Sequence, residues 1–289
     1  MIKIVEGIAY TEPSVFLLQE SGLGVAEYGA RTAYNSFDKS ENLIVKDFNT
    51  VLKLGLKSDI ADWADDLNNI ESSELLTSLA WVHHHHSVLE LANLSFLVKG
   101  ISRGMLQEFA RHRHQSLTVQ STRYTGSSIL NAFCASNSMY DFVTLGLQLD
   151  MFVTADMEYN RLELECVYMK LKYQLDKIGK LAFEELALSK DARNNGALIL
   201  DTSQKRFDAL QASKAKRNAL DPFKHIVSDV WKVDLVFNMN LRALKNFLDL
   251  RTSGAAYFQI QWLAEAIIET TPNKYLKLIR KDMRSNNEA

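Results

Sequence analysis

Several things are scarce in this sequence, and each scarcity excludes something. There are two cysteines, Cys134 and Cys166, which form neither a framework nor a CxxC pair; that usage suits a reducing compartment. The prolines are three, Pro13, Pro222 and Pro272, so long helices are permitted. The formal net charge is only −2, which argues against a general nucleic-acid or membrane-surface binder. No apolar run approaches the ~20 residues that span a bilayer, and the opening Met-Ile-Lys-Ile-Val-Glu-Gly lacks a signal-peptide pattern. The expectation is a soluble cytoplasmic protein without membrane or nucleic-acid partners. What is present is 289 residues with 47% apolar content, enough for a sizeable core in one large domain or two small ones. No repeat, linker or firm domain boundary is visible.

The alternation of Ile2 and Ile4 with Lys3 and Val5 predicts a short strand within 1–10, and a helix is expected near Ser14–Ser21. Helical spacing covers 43–67, with Leu52, Leu56, Ile60 and Trp63, and again 73–81. In 92–99, Ala92, Leu94, Phe96 and Val98 fall on one face, as in a half-buried strand. Gly100 is expected to break it, and Ser102 to cap a helix over 103–112. That helix turns Met105, Leu106, Phe109 and Ala110 toward the core. A second strand is expected over Val119–Thr125, helices over 136–180 and 203–219, a strand over 231–239, and helices from Leu241, over 255–269 and over 273–284. Lys190–Asn195 and Lys214–Arg217 read as solvated, and Ser285–Ala289 as a frayed tail.

Chemistry concentrates in Arg111-His112-Arg113-His114-Gln115-Ser116-Leu117-Thr118-Val119-Gln120-Ser121-Thr122-Arg123-Tyr124. This is poor material for a core. From Lys99 to Tyr124 the basic residues are Lys99, Arg103, Arg111, Arg113 and Arg123, against the single acid Glu108. In a nearly neutral chain such an excess points to an anionic ligand, because guanidinium groups capture phosphate and carboxylate bidentately. A solvated charged face is the plainer reading of charge alone.

Other polar residues invite two readings as well. Arg31 and Tyr34, in Gly29–Ser36, are within reach of a ligand or form a surface pair. His83 to His86 are four consecutive histidines. Neighbouring side chains on a helix diverge by ~100°, so all four cannot face one metal, and no HExxH is present. A polar loop is the plainer reading, no metal is expected, and a ligand at the His85–Glu90 junction is the alternative. In the helix from Leu241, Leu241, Leu244, Phe247 and Leu248 make an apolar stripe, with Arg242, Asn246 and Asp249 opposite. Arg251 lies half a turn from Arg242, so the two are not expected to serve one group in one subunit. It follows Leu248 and Leu250 on the apolar side, where it needs a partner.

Arg111-His112-Arg113, seven residues, then Ser121, with Arg123-Tyr124 following, resembles the Arg-His-Arg-x7-Ser signature of the flavin-dependent thymidylate synthases. Three further segments agree: His85-His86-Ser87-Val88-Leu89-Glu90, Ser102-Arg103, and Asn240-Leu241-Arg242 through Leu250-Arg251. Gly29–Ser36 is similar to the family's N-terminal Ala-Arg-x-x-Tyr region. The resemblance covers residues 25–35, 81–126 and 235–268. It implies an α+β fold, a central, mostly antiparallel sheet flanked by helices with a helical middle region. It also implies one synthase domain over 1–289, assembling as a homotetramer with active sites shared between subunits. The implied reaction converts dUMP to dTMP, with methylenetetrahydrofolate as carbon donor, NADPH as reductant and FAD as hydride carrier, without an enzymic nucleophile. By the same resemblance, Ser87, Arg111, His112, Arg113, His114, Asn240, Arg242 and Asn246 contact FAD. Arg103, Glu108, Val119, Gln120, Ser121, Arg123 and Arg251 contact dUMP, with Ser121 orienting it and Arg251 polarising the uracil. His85 and Glu90 fall on the flavin and folate side.

The chain departs from the family pattern in two places. Val119 stands where many members carry Gln or Glu, so the backbone there or Gln120 must hydrogen-bond the uracil. Ala255-Ala256-Tyr257-Phe258-Gln259-Ile260 replaces the usual His-Ala-Gln-x-Glu-Ile, which removes polar groups. Two other functions compete on the residues alone: a metal-dependent nucleotide hydrolase built on the histidines and Glu90, and a non-catalytic nucleotide- or RNA-binding protein.

Overall fold

The computed structural model describes residues 1–54, 66–122, 126–187 and 225–283. Expectations for Leu56, Ile60, Trp63, Arg123, Tyr124, Thr125, 203–219, Lys190–Asn195, Lys214–Arg217 and Ser285–Ala289 fall outside those residues. In chain order the strands are β1 (Ile2–Val5), β2 (Ile8–Thr11), β3 (Ser14–Glu20), β4 (Asn93–Ser102), β5 (Gln115–Val119) and β6 (Lys232–Asn240). The helices before β5 are α1 (Gly24–Tyr34), α2 (Leu43–Leu54), α3 (Glu74–Trp81) and α4 (Arg103–Phe109), with a 3-10 turn over His86–Leu91. Those after it are α5 (Ser127–Ala135), α6 (Met139–Leu147), α7 (Met157–Ala187), α8 (Leu241–Arg251), α9 (Phe258–Thr270) and α10 (Asn273–Ile279). The chain divides into two compact units. One comprises Met1–Glu12, Gly100–Leu106 and Val119–Asp234, the other Pro13–Lys99, Gln107–Thr118 and Leu235–Ala289. The α+β fold with antiparallel strands flanked by helices is as expected.

The second unit carries most of a four-stranded sheet in the order β3-β4-β6-β5. β3 and β4 run antiparallel, from Ser14 opposite Lys99 to Glu20 opposite Leu94, with a register shift between Leu17 and Gln19. The sequence reading of Ser14–Ser21 as a helix is therefore wrong. An apolar run this short fits either element, and pairing with β4 decides it. The alternation expected in β4 holds, since Leu94, Phe96 and Val98 are fully buried. Phe96 stacks on Phe237 of β6 at 5.2 Å between ring centroids, and Phe109 meets both Phe237 (5.0 Å) and Phe247 (5.5 Å) edge-on. Leu241, Leu244, Phe247 and Leu248 bury one side of α8, while α9 contributes Ile260, Leu263 and Ile267 to the same unit's core.

In the first unit, β1 and β2 form a hairpin with Ile2 opposite Thr11 and Val5 opposite Ile8. Glu6 and Gly7 both take positive φ, 50° and 87°, as a two-residue turn between right-twisted strands demands. The predicted strand 1–10 is thus two strands. The helix expected over 136–180 is also two, α6 and α7. Ser138 caps α6 by accepting from the Asp141 N–H at 3.1 Å, and Asp156 accepts from Tyr159 N–H at 3.0 Å at the start of α7. Phe133, Phe142 and Tyr168 pack together between α5, α6 and α7, with centroids 5.2–5.9 Å apart.

Gly100 does not end its strand. It adopts φ +76°, its N–H donates to Asp234 Oδ1 at 2.9 Å, and β4 continues to Ser102. A glycine inside a strand bends it as readily as it stops it. Ser102 does cap α4, its Oγ accepting from the Met105 N–H at 3.0 Å, but the helix ends at Phe109 rather than 112. Met105 and Phe109 are buried as expected, whereas Ala110 is exposed. β5 occupies Gln115–Val119, because the residues after Phe109 form a short turn and pairing starts early; of the expected strand only Val119 among the described residues belongs to it.

Candidate functional site

α4 stops where its backbone tightens: Arg111 N–H donates to Glu108 O at 3.3 Å and His112 N–H to Phe109 O at 3.1 Å. His114 then takes φ 61°, a left-handed conformation that histidine tolerates better than most residues. Gln115 fastens the turn, its Nε2 donating to Phe109 O (2.9 Å) and His112 O (3.0 Å). Arg111 to His114 are thereby displayed as a short polar arch. Sequence reasoning missed Gln115, whose role depends on a turn that no spacing rule signals.

The arch faces the first turn of α8. Asn240 caps that helix, its Oδ1 accepting from the Ala243 N–H at 2.8 Å. The two together, with the end of α4 and the 3-10 turn, enclose a cleft of about 810 Å³ lined by Glu90, Glu108, Arg111, His112, Arg113, His114, Asn240, Arg242, Ala243, Asn246, Leu250 and Arg251. The whole cleft lies within the second unit. Four arginines against two glutamates make it electropositive, and the N-terminus of α8 adds the partial positive charge of its free N–H groups. The guanidinium groups of Arg111 and Arg113 have no hydrogen-bond or ion-pair partner among the described residues. Arg242 is held by Glu90, an ion pair whose side chains are 55% and 47% exposed; such a pair contributes about 0–1 kcal/mol, so an incoming anion can displace it.

Arg251 lines the same cleft as Arg242, but the two bond different groups there, Arg242 to Glu90 and Arg251 to His112 and Glu108. Arg251 is the last helical residue, and its long side chain crosses to the arch: Nε–H donates to His112 Nε2 at 2.9 Å, and Nη1 to Glu108 Oε2 at 3.3 Å. The partner its burial required is thus supplied from α4 and the arch. Leu250, expected on the apolar side, is 53% exposed. His112 lies edge-on to Phe247, centroids 4.9 Å apart. Burial, and then the Arg251 charge, hold its proton affinity below the usual histidine value.

Seven of the eight residues that the resemblance assigned to FAD line this cleft: Arg111, His112, Arg113, His114, Asn240, Arg242 and Asn246. Ser87, the eighth, is exposed on the 3-10 turn and is not part of the lining. The residues assigned to dUMP are divided. Glu108 and Arg251 are in the cleft. Arg103, half-buried at the start of α4, and Val119, Gln120 and Ser121 belong to the first unit, and Arg123 lies outside the described residues. Gln120 is already engaged with β6, its N–H donating to Asp234 O (2.8 Å) and its Oε1 accepting from the Asp234 N–H (3.2 Å).

Away from the cleft, Arg31 is not a surface residue. It is 8% exposed, and its Nε donates to Glu27 Oε1 at 3.3 Å. Glu27, itself 1% exposed, also accepts from Ser40 Oγ at 2.7 Å and from Asn42. Tyr34 is exposed, and its hydroxyl pairs with His85 Nδ1 at 3.0 Å. His86 Nε2 bonds Ala80 O at 3.0 Å. Among the described residues no three His, Cys, Asp or Glu side chains are placed to hold a metal ion, and no helix is long and apolar enough to cross a membrane.

An α+β fold with a basic cleft at a helix N-terminus defines a protein with a site suited to an anionic ligand. The family model described as thymidylate synthase complementing protein matches residues 19–274, and the chain belongs to that family. Among its relatives, a flavin-dependent thymidylate synthase of Campylobacter jejuni (strain RM1221) is 25% identical over 261 residues, which is 90% of this chain and 93% of that protein. The flavin-dependent thymidylate synthase of Wolinella succinogenes is 26% identical over 262 residues, covering 91% and 95%. A crystal structure of thymidylate synthase X from Helicobacter pylori with FAD and dUMP superimposes with a TM-score of 0.55 at 22% identity, covering 94% of this chain and all of that one. That likeness shows the fold.

Proposed function

We propose that this protein is a flavin-dependent thymidylate synthase that converts dUMP to dTMP, taking carbon from methylenetetrahydrofolate and reducing equivalents from NADPH. The observation that carries the reading is the pair of guanidinium groups, Arg111 and Arg113, that have no partner among the described residues, beside a capped helix N-terminus in an electropositive cleft. Such groups fit the pyrophosphate of FAD, and a volume of about 810 Å³ is within the range of cofactor sites. FAD, when bound, supplies hydride chemistry that no side chain offers. The protein's own contribution is to bind and orient. Arg111, Arg113 and Arg242 hold the anionic part of the cofactor, with His114, Asn240 and Asn246 bonding its polar edges. Arg251 places positive charge where the uracil carbonyl gains electron density, lowering the barrier electrostatically. By the motif resemblance Arg103, Glu108, Val119, Gln120, Ser121 and Arg123 also contact dUMP, with Ser121 orienting substrate rather than attacking it. The family match runs through both units, which supports one synthase domain over 1–289; the homotetramer with shared sites rests on the motif resemblance alone.

The test is release of tritium from carbon-5-labelled dUMP in the presence of folate and NADPH, with and without FAD. The synthase reading expects FAD-dependent release and a yellow protein bleached by NADPH. A colourless protein that takes up no added FAD and releases no label sinks it.

A further inference from the structure

We propose that His112 is the positioning residue for Arg251, holding its guanidinium in the cleft by accepting the Nε–H at an unprotonated Nε2. The inference rests on the synthase reading in taking dUMP as the ligand of Arg251. A guanidinium has five N–H donors. Here Nε–H goes to His112 at 2.9 Å and one Nη1 proton to Glu108 at 3.3 Å, which leaves three for a ligand. These two bonds fix both the position and the rotation of the fork, and with them the directions of those three.

An arginine N–H only donates. His112 Nε2 must therefore be bare, with the ring proton on Nδ1. An imidazolium would set N–H against N–H and a second positive charge against the first. The charged groups that line the cleft with His112 are Glu108 from α4, Arg111, Arg113 and His114 from the arch, Arg242 and Arg251 from α8, and Glu90 from the 3-10 turn, with Arg251 in direct contact with the ring. Positive charge prevails among them, and Phe247 excludes water from one side. The neutral ring is favoured down through mildly acidic pH, in keeping with its lowered proton affinity. Below that point His112 takes up a proton, the bond to Arg251 breaks, and the guanidinium loses its orientation.

The experiment is calorimetric titration of dUMP into FAD-loaded protein between about pH 5.5 and 8, for wild type, His112→Gln and His112→Ala. The dUMP phosphate itself titrates near pH 6, and this affects all three proteins alike. Glutamine offers a carbonyl acceptor that does not titrate. The expected result is an acid limb of about twofold or more in wild-type Kd, beyond the phosphate's own, that His112→Gln lacks, with the Gln variant recovering most of the neutral-pH affinity that His112→Ala loses. A general loss of fold would lower binding at every pH and leave the limb in place. The assignment is overturned if His112→Gln keeps the wild-type acid limb, or if His112→Ala binds dUMP as tightly as wild type at pH 8. Wild-type protein that binds FAD but no dUMP at pH 8 overturns the synthase reading, and the role of His112 with it.

Discussion

Arg111 and Arg113 differ from the other two cleft arginines in one respect: no carboxylate among the described residues neutralises them, whereas Arg242 has Glu90 and Arg251 has Glu108. Removing one of the unpaired groups costs the fold nothing and the ligand a charge-assisted bond. Arg113→Ala is therefore expected to weaken FAD binding by about 1.5–3 kcal/mol, or tenfold and more, with thermal stability unchanged; flavin titration and a melting curve read the two effects separately. Glu27 presents the opposite case. It is buried against a buried arginine, and its two oxygens accept from Arg31, Ser40 and Asn42. Glu27→Ala strands the Arg31 charge and is expected to cost about 3–5 kcal/mol of stability, measured as a fall in the urea midpoint. Nothing in the sequence separated these two kinds of arginine. Arg31 and Arg111 both stand in polar stretches, and only the packing around each shows that one is structural.

At the scale of elements, helix ends carry the site, and one of them gives a simple test. Ser102 Oγ accepts the Met105 N–H, so Ser102→Ala is expected to destabilise by about 1 kcal/mol and lower Tm by a few degrees in calorimetry. The elements with strong periodicity were legible in the sequence: the alternating strand through Phe96, the strand through Phe237, and the helix with Leu241, Leu244 and Leu248 on one face. The Arg-His-Arg-x7-Ser motif was legible because four residue types at fixed spacing are specific. The rest needed tertiary information. Ser14–Glu20 is apolar enough for either helix or strand, and β4 supplies the partner that settles it. The early end of α4 and the start of β5 at Gln115 follow from a side chain folding back on two carbonyls. The helical angle between Arg242 and Arg251 was read correctly, but it locates Cβ atoms. It does not locate the end of a long side chain on a terminal residue.

For the molecule as a whole, proton linkage sets the pH range of stability. His112 has a lower proton affinity folded than unfolded, so the unfolded chain takes up the proton first. Its contribution is present above the ordinary histidine value near pH 6.5 and is lost as pH falls toward the folded one. Asp282, whose carboxyl is lowered by its bond to Arg280, acts in the same direction at more acid pH. Tyr275 is raised by burial and by Glu20, so its contribution is complete below about pH 10 and fades as pH climbs past that. Denaturant midpoints across pH should therefore decline on both sides of a neutral plateau, and His112→Gln should move the first acid step. The connectivity of the two units has a consequence for biogenesis. Each is assembled from three separated stretches, the second ending with Leu235–Ala289. Arg242 and Arg251 sit in that third stretch, so a growing polypeptide on the ribosome lacks half of the cleft's lining until residues 240–251 have been made. Protein truncated before Asn240 would leave the arch of Arg111 to His114 without the helix it faces, so any ligand that needs both sides of the cleft must wait for that helix to emerge.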